Sequence, residues 1–407
     1  MPNLPLGLVT TPRGKAINLS VSPGAGAFRL KQDPEGRIWT ITDRGPAIDC
    51  NEEKDFIGTE DKQICLPERR GKIYPLPGFA PSIYSVDISA EGAARFTQMI
   101  PVKGKSGKPV SGIPNALANS RVENAYALDG RQLDLDPSGI EPGGIVKLSD
   151  GTFWITDEFA PSVLEVAQDG TILRRIVPVS QADDYLNADY PIQPTLPAIM
   201  GLRQVTRGFD GLAVSPDEAF LYVAMQSTLA NPDLEAYRRS PAVRIWKLDR
   251  ISGAVIAEFV YPLEPPEVFT ADQAPGPRPL RQSDVRISEI VAVGQDRLLV
   301  LERIRYGSRI FHVDLAGAVP LPERFDLPGE LPTLEQLAPA DWAKSGVQPL
   351  TKRLLMDSAL VKGLGGRLSA MALMSPRQLL VLSNNDTGIE GGRPQMFRLT
   401  FNEPVLK

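Results

Sequence analysis

The 407-residue chain contains one histidine and two cysteines. So small a supply of soft ligands argues against zinc, and a lone imidazole gives little support to a Ser-His-Asp hydrolase. That histidine, His312, lies in FHVDL on an expected strand and reads as a packing or surface residue. No G-x-S-x-G elbow, R-H-G phosphatase core, cysteine-based phosphate loop, P-loop or dinucleotide fingerprint occurs. No run approaches 18 apolar residues, so no membrane-spanning helix is expected. Positive charge is not in excess either: 49 acids face 44 bases, a net −5, which leaves no electrostatic footprint for nucleic acid. The opening MPNLPLGLVTTPRG is not a signal peptide as written, and a periplasmic or secreted location stays open should a leader have been removed.

What is abundant is glycine and proline, 35 and 38 residues. Both are costly inside helices, which disfavours a helical bundle. Cys50 and Cys65 sit 15 residues apart in one polar segment. An oxidising compartment would join them in a local disulfide with a loop-closure benefit of roughly 3 kcal/mol, and a reducing one would leave two thiols.

A repeat organises the rest. Residues 143–177 read GGIVKL, SDG, TFWITDE, SVLEVAQ, DG, TILRRIV: four short alternating runs joined by Asp-Gly turns, which is the pattern of one propeller blade. The same grammar recurs from first strands near 25, 209, 287 and 368. The expectation is therefore an all-β fold: a β-propeller with five visible four-stranded blades in a single domain, with insertions at 44–80, 103–140 and 320–349. The long first step leaves room for a sixth, degenerate blade. The last unit lacks a fourth strand after Thr400, and residues 6–20 are expected to supply it and so close the ring. A short helix is expected within LPTLEQLAPADWAKSG at 331–346.

In a propeller, the loops before first strands and after second strands meet at one mouth of the channel. After the apolar second strands come Asp43-Arg44, Asp157-Glu158, Gln226, Glu302-Arg303 and Asn384-Asn385-Asp386. Before or at the first strands lie Glu141, Asp210, Ser288 and Glu289. Turn formation accounts for some Asp and Asn, but Glu, Arg and Gln have no such preference, so a functional mouth is favoured. The chemistry available there is that of carboxylates. Asp157, Glu158 and Glu302 are expected as catalytic acid/base groups, and Asp43, Glu141, Asp157, Asp210 and Asp386 as ligands of a divalent cation, calcium in particular. Arg44 and Arg303 are expected to hold a substrate anion, with Gln226 and Asn385 assisting.

The segments TDRGP (42–46), KIYPLPGFAPSIY (72–84), DPSGIEPGGIVKLSDGTFWITDEFAPSVL (136–164), GFDGLAVSPDEAFLYVAMQSTL (208–229), ISEIVAVGQDRLLVLER (287–303) and SNND (383–386) together resemble the phytase-like esterase family. The resemblance covers roughly residues 20–400. It implies a β-propeller with an acidic strand-end site and ester or phosphoester hydrolysis. Asp210-Gly211 keeps the family's acid-Gly start of a first strand, whereas Gly143-Gly144 and Ser369-Ala370 depart from it, which puts a fully occupied metal centre in doubt. The leading expectation is a monomeric hydrolase of a small ester or phosphoester. The alternatives are a non-catalytic propeller that binds a small molecule, glycan or protein, and a metal-dependent lactonase. With only two arginines placed at the mouth, phytate is expected to be a poorer substrate than a smaller monoanionic ester.

Overall fold

The computed structural model describes residues 1–58, 64–65, 71–118, 121–270, 278–364 and 367–405. Five sheets follow one another along the chain. Sheet I comprises Pro23–Phe28, Arg37–Thr42, Ser82–Ile88 and Ala94–Pro101. Sheet II comprises Pro142–Lys147, Phe153–Asp157, Ser162–Val166 and Ile172–Pro178, with Ile192–Leu196 added parallel at its edge. Sheet III runs through Phe209–Val214, Phe220–Met225, Ala242–Asp249 and Val255–Pro262. Sheet IV contains Arg286–Gly294, Arg297–Arg303, Ser308–Asp314 and Lys352–Asp357. Sheet V has three strands, Leu368–Ser375, Gln378–Ser383 and Gln395–Thr400. The first strands of the sheets adjoin one another in the order I, II, III, IV, V and back to I.

Each first and second strand is buried on both faces, which is why they read as nearly continuous apolar runs. The packing between sheets is aromatic and aliphatic. Trp39 of sheet I and Phe153 of sheet II meet edge to face with ring centroids 5.0 Å apart, within the range of about 4.5–7 Å typical of such pairs. Near the axis the first strands approach so closely that side chains are excluded. A Cβ on Gly26 would lie 2.7 Å from Gly144 Cα, and one on Gly143 would lie 2.7 Å from Asp210 Cα. The Gly143-Gly144 departure noted in the sequence follows from this contact, and Glu141 just upstream brings a carboxylate to the same sheet.

One expectation needs correction. The N-terminal strand does not complete sheet V: Pro5–Thr10 pairs with Ala16–Ser20 in a separate hairpin. The Pro-Arg-Gly turn at 12–14 makes this local pairing available with a short loop, cheaper to close than pairing across the whole chain. The N-terminal segment instead meets sheet V through side chains, with Ser22 Oγ donating to Asn384 Oδ1 at 2.7 Å and Asn385 Nδ2 donating to Ser20 Oγ at 3.0 Å. Among the described residues, the strands within the insertions at 44–80 and 103–140 lie outside the five sheets. They combine into one mixed sheet, Gln132–Leu133, Asn124–Ala127, Gly71–Tyr74 and Ile48–Asp49, whose central pair is parallel. Cys50 and Cys65 are joined in a disulfide beneath it. The short helix expected within 331–346 is a series of short 3-10 helices, set apart by Pro332 and Pro339, that bury Trp342. No helix among the described residues is long and apolar enough to cross a membrane.

Candidate functional site

One residue steps off the end of the second strand in each sheet: Asp43, Glu158, Gln226, Arg303 and Asn384. All five line a single cavity of about 1300 Å³. The residue before each one pairs with the first strand immediately ahead of an irregularity: Thr42 with Pro23, Asp157 with Pro142, Met225 with Phe209, Glu302 with Ile287 and Ser383 with Leu368. Bulges re-aim side chains, and here Ala25, Asp210, Ser288 and Ser369 from the irregular positions also line the cavity.

Successive strand residues point to opposite faces, so the sequence-expected pairs divide. Glu158 and Arg303 face the cavity, while Asp157 and Glu302 do not line it. Asp157 is fully buried, accepting from Arg175 at 2.6 Å and from the Phe159 amide at 2.7 Å. Glu302 is likewise fully buried, accepting from Lys352 Nζ at 2.6 Å, Tyr261 Oη at 2.5 Å and the Glu264 amide at 2.9 Å. These two carboxylates tie second strands to the outer strands of their own sheets. Glu289 is also below the cavity, accepting from the Ala27 amide across the ring at 3.2 Å. Asn385 turns away toward Ser20 and the Gly392 carbonyl.

Arg44 lines the cavity, but its guanidinium is engaged by Glu141, Glu123 and the Tyr74 hydroxyl, and it stacks on Phe159. Burial pushes the Glu141 carboxyl up to about 8, against the pull of Arg44 and with Glu123 adding repulsion. Asp43 accepts from the Gly45 amide and from Asn384 Nδ2, and burial raises it too. Asp386 pairs with Arg367.

The centre of the site is a bridged pair of carboxylates. Gln226 Nε2 donates to Glu158 Oε2 at 2.5 Å and to Asp210 Oδ2 at 2.8 Å, while its Oε1 accepts from Arg207. The amide is thereby fully used, and Gln226 holds the pair rather than waiting for a ligand. Burial pushes Asp210 up to about 6, although Arg303, Gln226, Arg286 and Arg207 oppose it. Glu158 stands well above the ordinary carboxylate range because it is buried and because Asp210 and Glu141 carry like charge nearby. Two carboxyl groups so placed resist being ionised together.

Beside them stand Arg207, Arg286 and Arg303. None of the three forms an ion pair with a carboxylate among the described residues. Arg303 Nε donates to Ser288 Oγ at 2.6 Å, and Arg286 Nε is buried without a hydrogen-bond partner. Burial, then repulsion from Arg207 and Arg303, holds Arg286 well below its ordinary pKa. Arg303 is lowered likewise by burial and by Arg207. The sequence reading missed Arg207 and Arg286, and its figure of two mouth arginines is corrected: Arg278, Arg305 and Arg367 also line the cavity. The signal was present in TRGFD and SDVRISE, where an arginine precedes or opens a first strand.

Of the five expected cation ligands, Asp43, Glu141, Asp210 and Asp386 line the cavity and Asp157 does not. Among the described residues no group of three or more Asp, Glu, His or Cys side chains is arranged to hold a metal ion. Arg44, Arg175 and Arg367 already engage Glu141, Asp157 and Asp386. This donor set does not fit a calcium centre, which needs six to eight oxygens converging at one point.

The fold and site define an all-β, propeller-like protein with a charged cavity where its sheets converge. The chain belongs to the Phytase-like family, described as "esterase-like activity of phytase", whose model matches residues 24–387. At the coarse level that is a family of hydrolases. The chain is 31% identical over 136 residues to an uncharacterized secreted protein of Arthroderma benhamiae, an overlap of 30% of this chain and 25% of that protein. The match thus spans a quarter of that relative's length. Among solved structures, a catalytically inactive virginiamycin B lyase from Staphylococcus aureus with quinupristin aligns with a TM-score of 0.34 and 13% identity, covering 94% of this chain and 82% of that one. A luciferin-regenerating enzyme aligns with a TM-score of 0.33 and 10% identity, covering 98% of this chain and 99% of that one.

Proposed function

We propose that the ring is a single-domain, five-bladed propeller and that its mouth hydrolyses phosphate monoesters without a metal ion. The observation that carries this reading is the Glu158–Gln226–Asp210 bridge set beside three arginines that form no ion pair with a carboxylate among the described residues. A phosphoryl dianion offers several acceptor oxygens for guanidinium forks. Binding it would also relieve the repulsion among Arg207, Arg286 and Arg303.

In this mechanism Asp210 enters ionised, and Glu158, which burial and neighbouring like charge hold well above the ordinary carboxylate range, enters protonated. Asp210 takes a proton from water as the water oxygen attacks phosphorus. The bond from phosphorus to the ester oxygen breaks, and Glu158 gives its proton to that oxygen. An alcohol and inorganic phosphate leave, Asp210 releases its proton to solvent and Glu158 regains one. Negative charge on the transferring group is balanced by the arginines, which are fixed before the reaction begins.

The test is turnover of an aryl phosphate by the purified chain and by Glu158→Gln and Arg286→Ala. Loss of about 10²–10⁴-fold in kcat is expected for the first and of about 10²–10³-fold in kcat/KM for the second. Turnover unchanged in both variants would remove the site from the reaction.

A further inference from the structure

The cavity is not uniform around its rim. Arg207, Arg286 and Arg303, which form no ion pair with a carboxylate among the described residues, come from sheets III and IV, where Leu280, Ile304 and Tyr306 are interleaved in sequence with Arg278, Arg303 and Arg305. Arg44 and Arg367, at sheets I and V, are instead paired with Glu141 and Asp386. The facing wall, between sheets I and V, is built by the insertion after Asp43 and by the loop after Asn384. Ile48, Phe56 and Ile389 line the cavity there and belong to one apolar cluster, Ile48 in its core with Phe56 and Ile389 packed partly buried against it. Glu52, Asp49, Asp386 and Glu390 edge this shelf together with Lys72 and Arg367. Lys72 pairs with Asp49, and Arg367 pairs with Asp386 and Glu390. Burial and the nearby acids raise the Glu52 carboxyl against the pull of Lys72.

From this polarity we infer that the substrate is a monophosphate ester of an uncharged, apolar alcohol or phenol. Its phosphate lies at Arg207, Arg286 and Arg303, and its organic group lies on the shelf of Ile48, Phe56 and Ile389. The inference rests on the phosphoester reading above and adds the identity of the leaving group. The Glu158–Asp210 pair, from sheets II and III, stands between the two poles, where the scissile bond of such an ester would lie. The acids at the shelf are matched by Lys72 and Arg367, so this wall leaves no unpaired arginine for a second phosphate among the described residues. An aromatic or alkyl group instead covers apolar surface that is otherwise wet.

Calorimetric titration with benzylphosphonate and methylphosphonate tests this without requiring turnover. The benzyl compound should bind roughly 10- to 100-fold more tightly, the gain from burying one aromatic side chain's worth of surface. Phe56→Ala and, separately, Ile389→Ala should reduce that ratio at least threefold while methylphosphonate affinity stays within about twofold. A ratio near one in the wild-type protein, binding of neither phosphonate, or a ratio retained in both variants would overturn the inference. The benzyl preference without hydrolysis of benzyl phosphate would uphold the shelf and refute the hydrolase. Hydrolysis with equal affinities would do the reverse.

Discussion

Replacing Asp210 with asparagine should stabilise the protein at neutral pH and leave it unchanged in acid. The carboxyl is 4% exposed, and its pKa rises from 3.8 to about 6 on folding because burial outweighs the help of three arginines and Gln226. A raised carboxyl favours the folded state below the unfolded pKa and loses that advantage as pH climbs through the folded value. The window therefore opens near pH 4 and closes above pH 6. Two units at about 1.4 kcal/mol each set the loss at about 3 kcal/mol by pH 7. Asparagine does not titrate, and its oxygen still accepts from Gln226 Nε2. Glu158, held up partly by the charge on Asp210, relaxes in the same direction. Urea unfolding followed by the four tryptophans at pH 4, 5, 6 and 7 measures the difference. Asp210→Asn should gain on the wild type across that series by about 3 kcal/mol. A gap independent of pH, or a wild type that gains on the variant as pH rises, would refute the reasoning.

Other outcomes follow from the same contacts. Gln226→Leu removes a donor that lowers Asp210, so the acidic limb of its pH–rate profile should move to higher pH than in the wild type on the same substrate. Arg175→Ala strands the buried Asp157 carboxylate, which should cost about 3–5 kcal/mol in urea unfolding; a loss below 1 kcal/mol would contradict a fully buried pair. Dialysis against a chelator should leave aryl phosphate turnover unchanged, and elemental analysis should find no stoichiometric calcium; restoration of lost turnover by added calcium would contradict the donor arrangement described here.

The hairpin grammar made most of the fold legible, because Asp-Gly turns and doubly buried strands are local signals. The rule that second-strand ends meet first-strand starts also brought Asp43, Glu158, Gln226 and Arg303 together correctly. What composition could not resolve was which neighbour in Asp157-Glu158 or Glu302-Arg303 turns inward. That choice depends on the bulges opposite them, and on Arg175 and Lys352 arriving from outer strands. Arg207 and Arg286 obey the same positional rule at first-strand starts, where the sequence reading named only Glu141, Asp210, Ser288 and Glu289. The sheet made from two insertions was hidden for a different reason: its strands have two to four residues, and its central pairing is parallel between segments some fifty residues apart. The shelf that faces the arginines is built partly from that sheet's first strand, so the leaving-group side of the cavity was hidden with it.

The central claim is that one carboxyl of the bridged pair donates a proton while its neighbour accepts one. Measuring kcat/KM for an aryl phosphate on the alkaline side of neutrality, in wild type and Glu158→Gln, tests this most directly. The account predicts a wild-type rate that falls as pH rises and Glu158 ionises, and a far lower variant rate with no such fall. An alkaline limb that persists unchanged in Glu158→Gln would contradict it.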